Sequence, residues 1–315
     1  MGLFDAFKKK KPTSPRPPLR PMPRPGMRGP QPDPQGENNF IVITLDSCRY
    51  DSFMKAEPKT LMKLGKVEKR YTYASWTAPS HYNLLTGLLP HTTPPNVYAS
   101  EYYKEDFFNY NERLGAEGID FAKMVPGLWF PGLMRNTLGY STHARVSLPV
   151  LNPKTGINRD FDTFQLMDSH NDMEAMLPTM KFDTERPAYY MLNVGETHYP
   201  YAIPGEDTSH LPRISGVNGV FKKMNDAINP DNPEFKEEFQ FFDQEKLDVL
   251  RDCQVNTVKY LDGVFEKLFD MVPKNTHIVV TADHGELFGE EGYFGHGPIM
   301  HDKVFEVPFV EGRIR

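Results

Sequence analysis

Three runs of strand length are apolar almost throughout: FIVITL (Phe40 to Leu45), AYYMLNV (Ala188 to Val194) and HIVVTA (His277 to Ala282). A strand solvated on one face alternates apolar and polar residues, so continuous runs belong to strands covered on both faces, as in a parallel sheet flanked by helices. Helical patterns lie between them. In the clearest, Leu247, Leu250, Val258, Leu261, Phe265, Leu268 and Val272 fall on one face, and Pro273 stops the pattern. VPFV (Val307 to Val310) is a shorter strand candidate. This alternation predicts an α/β fold with a mostly parallel central sheet. No internal repeat and no linker is visible after residue 38, so residues 38–315 read as one domain. Residues 200–245, rich in Pro, Asn, Asp and Gly, read as an insertion or lid over one edge of the sheet.

The first 37 residues differ in kind. They carry eight Lys and Arg against three Asp and Glu, a charge of 8 − 3 = +5 in a chain whose total is −6, which leaves −11 for the remainder. Ten of the 29 prolines fall between Pro12 and Pro34. Such a stretch buries too little apolar surface to offset its ordering entropy and predicts a disordered, basic, Pro-rich arm. The acidic body argues against nucleic acid as the main ligand. Leu3, Phe4 and Phe7 ahead of Lys8 to Lys11 suit at most weak contact of residues 1–11 with an anionic membrane. With no secretory leader pattern, no membrane-span pattern and only two cysteines (Cys48 and Cys253), the expected location is cytoplasmic, with a peripheral membrane position as the variant.

Each strong run ends in polar chemistry. The first gives TLDSCRYD with Asp46, the second NVGETHYPY with Glu196 and His198, and the third TADHGE with Asp283 and His284. His296 follows twelve residues after His284. Parallel strands end on one common edge, where open α/β sheets bind ligands. Residues more than 230 positions apart therefore converge, and carboxylates with imidazoles form a ligand set for Zn²⁺ or Mn²⁺. Taken singly, each is better read as a turn, cap or packing residue; the coincidence at three strand ends carries the functional reading.

A fourth element, WTAPSHYNLLTG (Trp76 to Gly87), reads as a helix start, with Pro79 in the first turn and Gly87 at the C-terminal cap. Thr77 lies at its entry. There the helix dipole and free N–H groups favour an anion, and a hydroxyl that attacks is indistinguishable in sequence from one that caps.

These residues resemble the sulfatase and alkaline phosphatase superfamily of metallohydrolases over nearly all of residues 39–311. IVITLDSCRYD looks like its first strand with a metal-binding aspartate, and TAPSHYNLLTGLLPH like the nucleophile signature. LGYSTH, RDFDTF, ETHYPY and the closing TADHGELFGEEGYFGHG and VFEVPFV are similar to later family stretches, in the right order. The resemblance implies an alkaline-phosphatase-like, three-layer sandwich.

The departures refine it. Thr77 stands where sulfatases have a Cys or Ser that becomes formylglycine, His81 stands for the signature arginine, and Ser47 for the second aspartate of the usual pair. These point to the threonine-nucleophile branch: phosphoesterases and phosphoryl or phosphonyl transferases with a covalent intermediate. In that branch the pattern implies a first metal at Asp46, Thr77, Asp283 and His284. His198 and His296 then bind a second metal or the transferring group, or protonate the leaving oxygen, with His81 and Glu196 as further second-metal or substrate candidates. The expected cofactor is one or two divalent ions, Zn²⁺ first, with Mn²⁺, Mg²⁺ and Ca²⁺ as alternatives. The expected substrate is a small-molecule or lipid-linked phosphate or sulfate ester. The rivals are a sulfuric ester hydrolase without formylglycine, a phosphosugar mutase, and a catalytically retired metal-stabilised scaffold that binds partners through the basic arm.

Overall fold

The structure, a computed structural model, describes residues 39–92, 129–182, 185–212, 243–274, 276–297 and 299–314. The arm predicted at 1–37 and residues 213–242 of the predicted insertion lie outside these.

The strands are β1 (Phe40–Leu45), β2 (Glu68–Tyr71), β3 (Ser141–Val146), β4 (Thr163–Leu166), β5 (Ala188–Val194), β6 (His277–Ala282), β7 (Leu287–Phe288), β8 (Phe294–Gly295) and β9 (Glu306–Arg313). The helices are α1 (Tyr50–Ala56), α2 (Thr77–Leu85), α3 (Phe130–Asn136), α4 (Gln244–Met271) and α5 (Asp302–Phe305). Seven strands form one sheet in the order β2-β9-β6-β1-β5-β3-β4, while β7 and β8 pair separately. The three apolar runs of the sequence are its centre: β1 is parallel to both β5 and β6. Only β9 opposes its neighbours, β6 and β2. The expected mostly parallel sheet is thus found.

Side-chain alternation divides the core. Ile41, Ile43 and Leu45 of β1, with Tyr190, Leu192, Ile278 and Val280, pack against α1 and the apolar stripe of α4. Val42, Tyr189, Met191 and Val279 point the other way, onto Leu85 of α2 and onto Trp129 and Met134. The result is helix, sheet, helix. Val258, Leu261, Phe265 and Leu268 of α4 are fully buried, each contributing about 1.5–3 kcal/mol of apolar burial. Asp243 caps α4 by accepting from the Glu245 amide. Trp129 and Phe130 belong to the second core.

The outer strand pair carries a pH sensor of stability. His143 of β3 stacks on Tyr190 at 4.7 Å between centroids, and its Nδ1 lies 2.8 Å from the Thr163 hydroxyl. Burial pushes its imidazole down to about 4, aided by Arg145 and Arg186 and opposed by Asp162. The fold therefore holds the neutral ring. Between the ordinary imidazole pKa of about 6.5 and 4 the unfolded chain takes up a proton that the folded chain refuses, so stability falls as pH drops through that window. A ring NMR titration should place the midpoint near 4, and His143→Gln should flatten this part of the acid-unfolding profile. A midpoint at 6.5 would contradict the burial argument.

Candidate metal centre

Leu45 pairs with Val194 on one side and Ala282 on the other, so β1, β5 and β6 end level. Residues 46, 195 and 283 consequently leave the sheet along one edge. The Asp46 amide still donates to the Val194 carbonyl at 2.8 Å, which fixes where its side chain emerges. Gly285 follows His284 because a Cβ there would collide with the Lys303 carbonyl; the loop passes too close to α5 for any other residue. Ser47 is held in the left-handed region at φ 61, a strained conformation of the kind that collects at functional sites.

Asp46, Asp283 and His284 are buried and place their ligand atoms within 4.8 Å of one another. Asp283 Oδ1 accepts from the Ser47 amide at 3.1 Å and the His284 amide at 2.9 Å, while its Oδ2 is buried with no hydrogen-bond partner. Asn193 Nδ2 donates to Asp46 Oδ2 at 2.9 Å, and the Ser47 hydroxyl to Asp46 Oδ1 at 3.3 Å. His284 Nδ1 donates to the Gly285 carbonyl at 2.9 Å. A carbonyl only accepts, so the neutral ring presents a lone pair at Nε2. That Nε2 lies 3.4 Å from Asp283 Oδ2 and 4.0 Å from Asp46 Oδ1. Three acceptors thus face one another in a buried place, an arrangement that needs a cation or a proton between them. The donor set, two carboxylates and an imidazole with its other nitrogen fixed by backbone, fits a divalent transition ion.

The protonation pattern follows. Burial works against the Asp46 carboxylate, but His198, His284 and His81 with the Asn193 amide outweigh it, so its pKa goes down. Burial and the neighbouring Asp46 push Asp283 well up. His284 is held well below the ordinary imidazole range by burial and by His296.

Thr77 is the first residue of α2, and no side chain caps that helix. Its hydroxyl instead lies 3.3 Å from His284 Nε2 and 3.5 Å from Asp46 Oδ1. Gly87, at φ +88, follows the C-terminal end, as the sequence predicted. His81, one turn into α2, is fully buried; its Nδ1 donates to the Thr77 carbonyl at 2.8 Å, and Nε2 has no partner. Burial lowers its pKa.

The His296 ring lies 4.2 Å from that of His284, tilted against it, and the His198 ring 5.7 Å from that of His296, so both reach the rim of the cluster. Glu286 Oε1 holds His296 Nδ1 at 2.9 Å, and Glu286 Oε2 accepts from the Tyr201 hydroxyl at 2.5 Å. Burial opposes the charged His296 ring, but Glu286 and Asp46 raise its pKa overall. Glu196 is placed otherwise: its Oε1 accepts from the Met173 amide at 2.7 Å, and burial raises its pKa to about 7. No hydrogen bond or ion pair joins it to Asp46, Thr77, Asp283 or His284 among the described residues. Sequence reasoning passed over Asn193, Glu286 and Tyr201. The signal for Asn193 was a polar residue inside an apolar strand; for Glu286, the acid closing TADHGE.

A family model described as Sulfatase matches residues 38–310. The chain belongs to the sulfatase family. Among solved structures, the fold of this family member is similar to the C-terminal periplasmic domain of EcEptC from Escherichia coli: 12% identity, 91% of this chain and 74% of that one, TM-score 0.51. The phosphonate monoester hydrolase SpPMH from Silicibacter pomeroyi is similar at 16% identity, with coverage of 87% and 67% and a TM-score of 0.50. BT1596, a 2-O GAG sulfatase, is similar at 12% identity, with coverage of 88% and 65% and a TM-score of 0.51. No curated protein matches by sequence. One expectation is corrected here. The cytoplasmic location rested only on missing leader and span patterns, and a structural neighbour of this family member is a periplasmic domain. What stands is that no described helix is long and apolar enough to cross a membrane.

Proposed function

We propose that this sulfatase-family protein is a metal-dependent phosphoesterase, or phosphoryl or phosphonyl transferase, with Thr77 as nucleophile. The observation that carries the reading is that the buried Thr77 hydroxyl, on the first residue of α2 just after the N-cap Trp76, makes no capping bond and faces Asp46 and His284. Asp46, Thr77, Asp283 and His284 would hold a divalent cation, Zn²⁺ first by donor chemistry, which would supply positive charge favouring the Thr77 alkoxide and offsetting charge on the substrate oxygens. Thr77 Oγ1 forms the new bond to phosphorus as the bond to the leaving oxygen breaks. The entry of α2 places partial positive charge beside the phosphoryl oxygens. His296, oriented by Glu286, or His198 donates the proton that the leaving oxygen takes up. Water or an acceptor hydroxyl then releases the phosphothreonine ester and restores Thr77. His81, neutral where a sulfatase has arginine, leaves the site without that fixed positive charge, in keeping with a substrate other than an aryl sulfate. The name of the fold neighbour SpPMH agrees with a phosphorus ester, and that of BT1596 with the sulfate alternative.

The test joins metal analysis to a substrate panel. Purified protein should carry Zn²⁺ and turn over aryl phosphate, phosphodiester or phosphonate faster than aryl sulfate. Turnover of sulfate alone would establish the sulfuric ester hydrolase, and bound metal with no turnover of any ester would leave the scaffold.

A further inference from the structure

The apolar stripe of α4 contains one fully buried carboxamide. Gln254 falls in register with Leu250, Val258 and Leu261, where a core-facing helix carries an aliphatic side chain, and it is 0% exposed. A buried amide is unfavourable unless bonded. Gln254 spends its bonds outside its own helix. Its Nε2 donates to the Ser47 carbonyl at 2.9 Å and to the Thr197 carbonyl at 3.0 Å, and its Oε1 accepts from the Arg49 amide at 3.4 Å. Ser47 and Thr197 lie on two different strand-end loops, after β1 and β5. Each is the immediate neighbour of a site residue, Asp46 and His198.

Both loops lead on to the cluster. The Thr197 hydroxyl donates to the Asp46 carbonyl at 2.7 Å, and the Ser47 amide, turned by its left-handed φ, donates to Asp283 Oδ1 at 3.1 Å. One carboxamide therefore ties the loop of Asp46 to the loop of His198 and supports the backbone turn through which Ser47 fixes Asp283. We infer that Gln254 is a positioning residue of this site, setting the separation of the two strand-end loops and hence the preorganisation of Asp46 and Asp283 toward a cation. The inference rests on the metal-centre reading above for its consequence, but its structural half does not need a metal.

Gln254→Met keeps length and volume while removing both donors and the acceptor. Two measurements on the full chain separate the possibilities. In metal-free protein, amide hydrogen exchange should rise selectively in residues 46–49 and 195–199, with β1, β6 and the rest of α4 protected as in wild type. By titration calorimetry with Zn²⁺ alone, affinity should fall about 10- to 100-fold, the usual effect of losing a residue that orients metal ligands. Leu261→Ala is the control: a cavity on the same helix stripe should lower the melting temperature and leave Zn²⁺ affinity unchanged. If the methionine variant does not fold, Gln254→Asn, which keeps the amide but withdraws it by one methylene from both carbonyls, should show the same two effects. Wild-type exchange in both loops together with wild-type Zn²⁺ affinity would overturn the inference. Selective loop exchange in a wild-type background that binds no Zn²⁺ would keep the positioning role and sink the metal reading instead.

Discussion

Thr77→Ala should remove turnover, by on the order of 10⁴-fold or more in kcat, and leave the fold in place, with Asp46, Asp283 and His284 still available to hold Zn²⁺. Losses of this size accompany removal of a covalent nucleophile when binding and charge stabilisation survive. Thr77 is 6% exposed and its hydroxyl makes no capping bond, so the variant lacks the penalty of about 1 kcal/mol that deleting a true cap incurs. Stability and rate thus report different things: a cap would lose the first, a nucleophile the second. Thr77→Ser should retain part of the rate, because the hydroxyl returns without the methyl that fixes its rotamer. Wild-type kcat in Thr77→Ala would remove the nucleophile and the covalent intermediate with it.

Asp283→Asn should move metal affinity and metal-free stability in opposite directions. The carboxylate Oδ1 is committed to two backbone amides, and an asparagine oxygen keeps both bonds. The other oxygen is buried and unpartnered, facing His284 Nε2 and the Asp46 charge. Burial and the neighbouring Asp46 already resist ionisation of this carboxyl, so an NH₂ group removes the cost of placing a second charge beside Asp46 and gives His284 Nε2 a donor. Without metal, the variant should melt higher, by about 2–4 °C for each kcal/mol of relieved repulsion. With Zn²⁺, it should lose at least about 100-fold in affinity, because an ionised ligand has become neutral. Thermal melts with and without chelator, beside calorimetry, would show the crossing. Equal loss of stability in both conditions would mean that Asp283 serves only the loop.

The comparison of Asp46 with Gln254 shows why some of the site could be read from the chain and some could not. Asp46, Asp283 and His284 each follow an apolar run directly, and strand direction alone sends them to one edge. Thr77 was visible through the helix-start pattern around it. Gln254 lies more than two hundred residues from Ser47 in the middle of an amphipathic helix, where a polar residue is easily taken as a minor interruption of the stripe. Asn193 and Glu286 were hidden for the same reason: each acts on a side chain contributed by another segment or a later turn, and no local pattern records such pairings. Glu196 stands apart: its Oε1 accepts from the Met173 amide while its Oε2 is buried without a hydrogen-bond partner, and neither fact is written in the loop sequence. The cytoplasmic expectation failed because a missing leader or span pattern carries no positive information about where a chain resides.

By itself the sequence determined the layered α/β architecture, the order of the central strands' chemistry and the residue types gathered at their ends. These follow from side-chain periodicity and from the common direction of parallel strands, both of which are written along the chain. Only the tertiary structure decided that Thr77 turns away from its helix toward His284 and Asp46, that Asp283 keeps one oxygen bare, and that a single glutamine from α4 spans two loops. Those outcomes depend on distances of a few ångströms between segments that are remote in sequence, set by how the helices dock on the sheet.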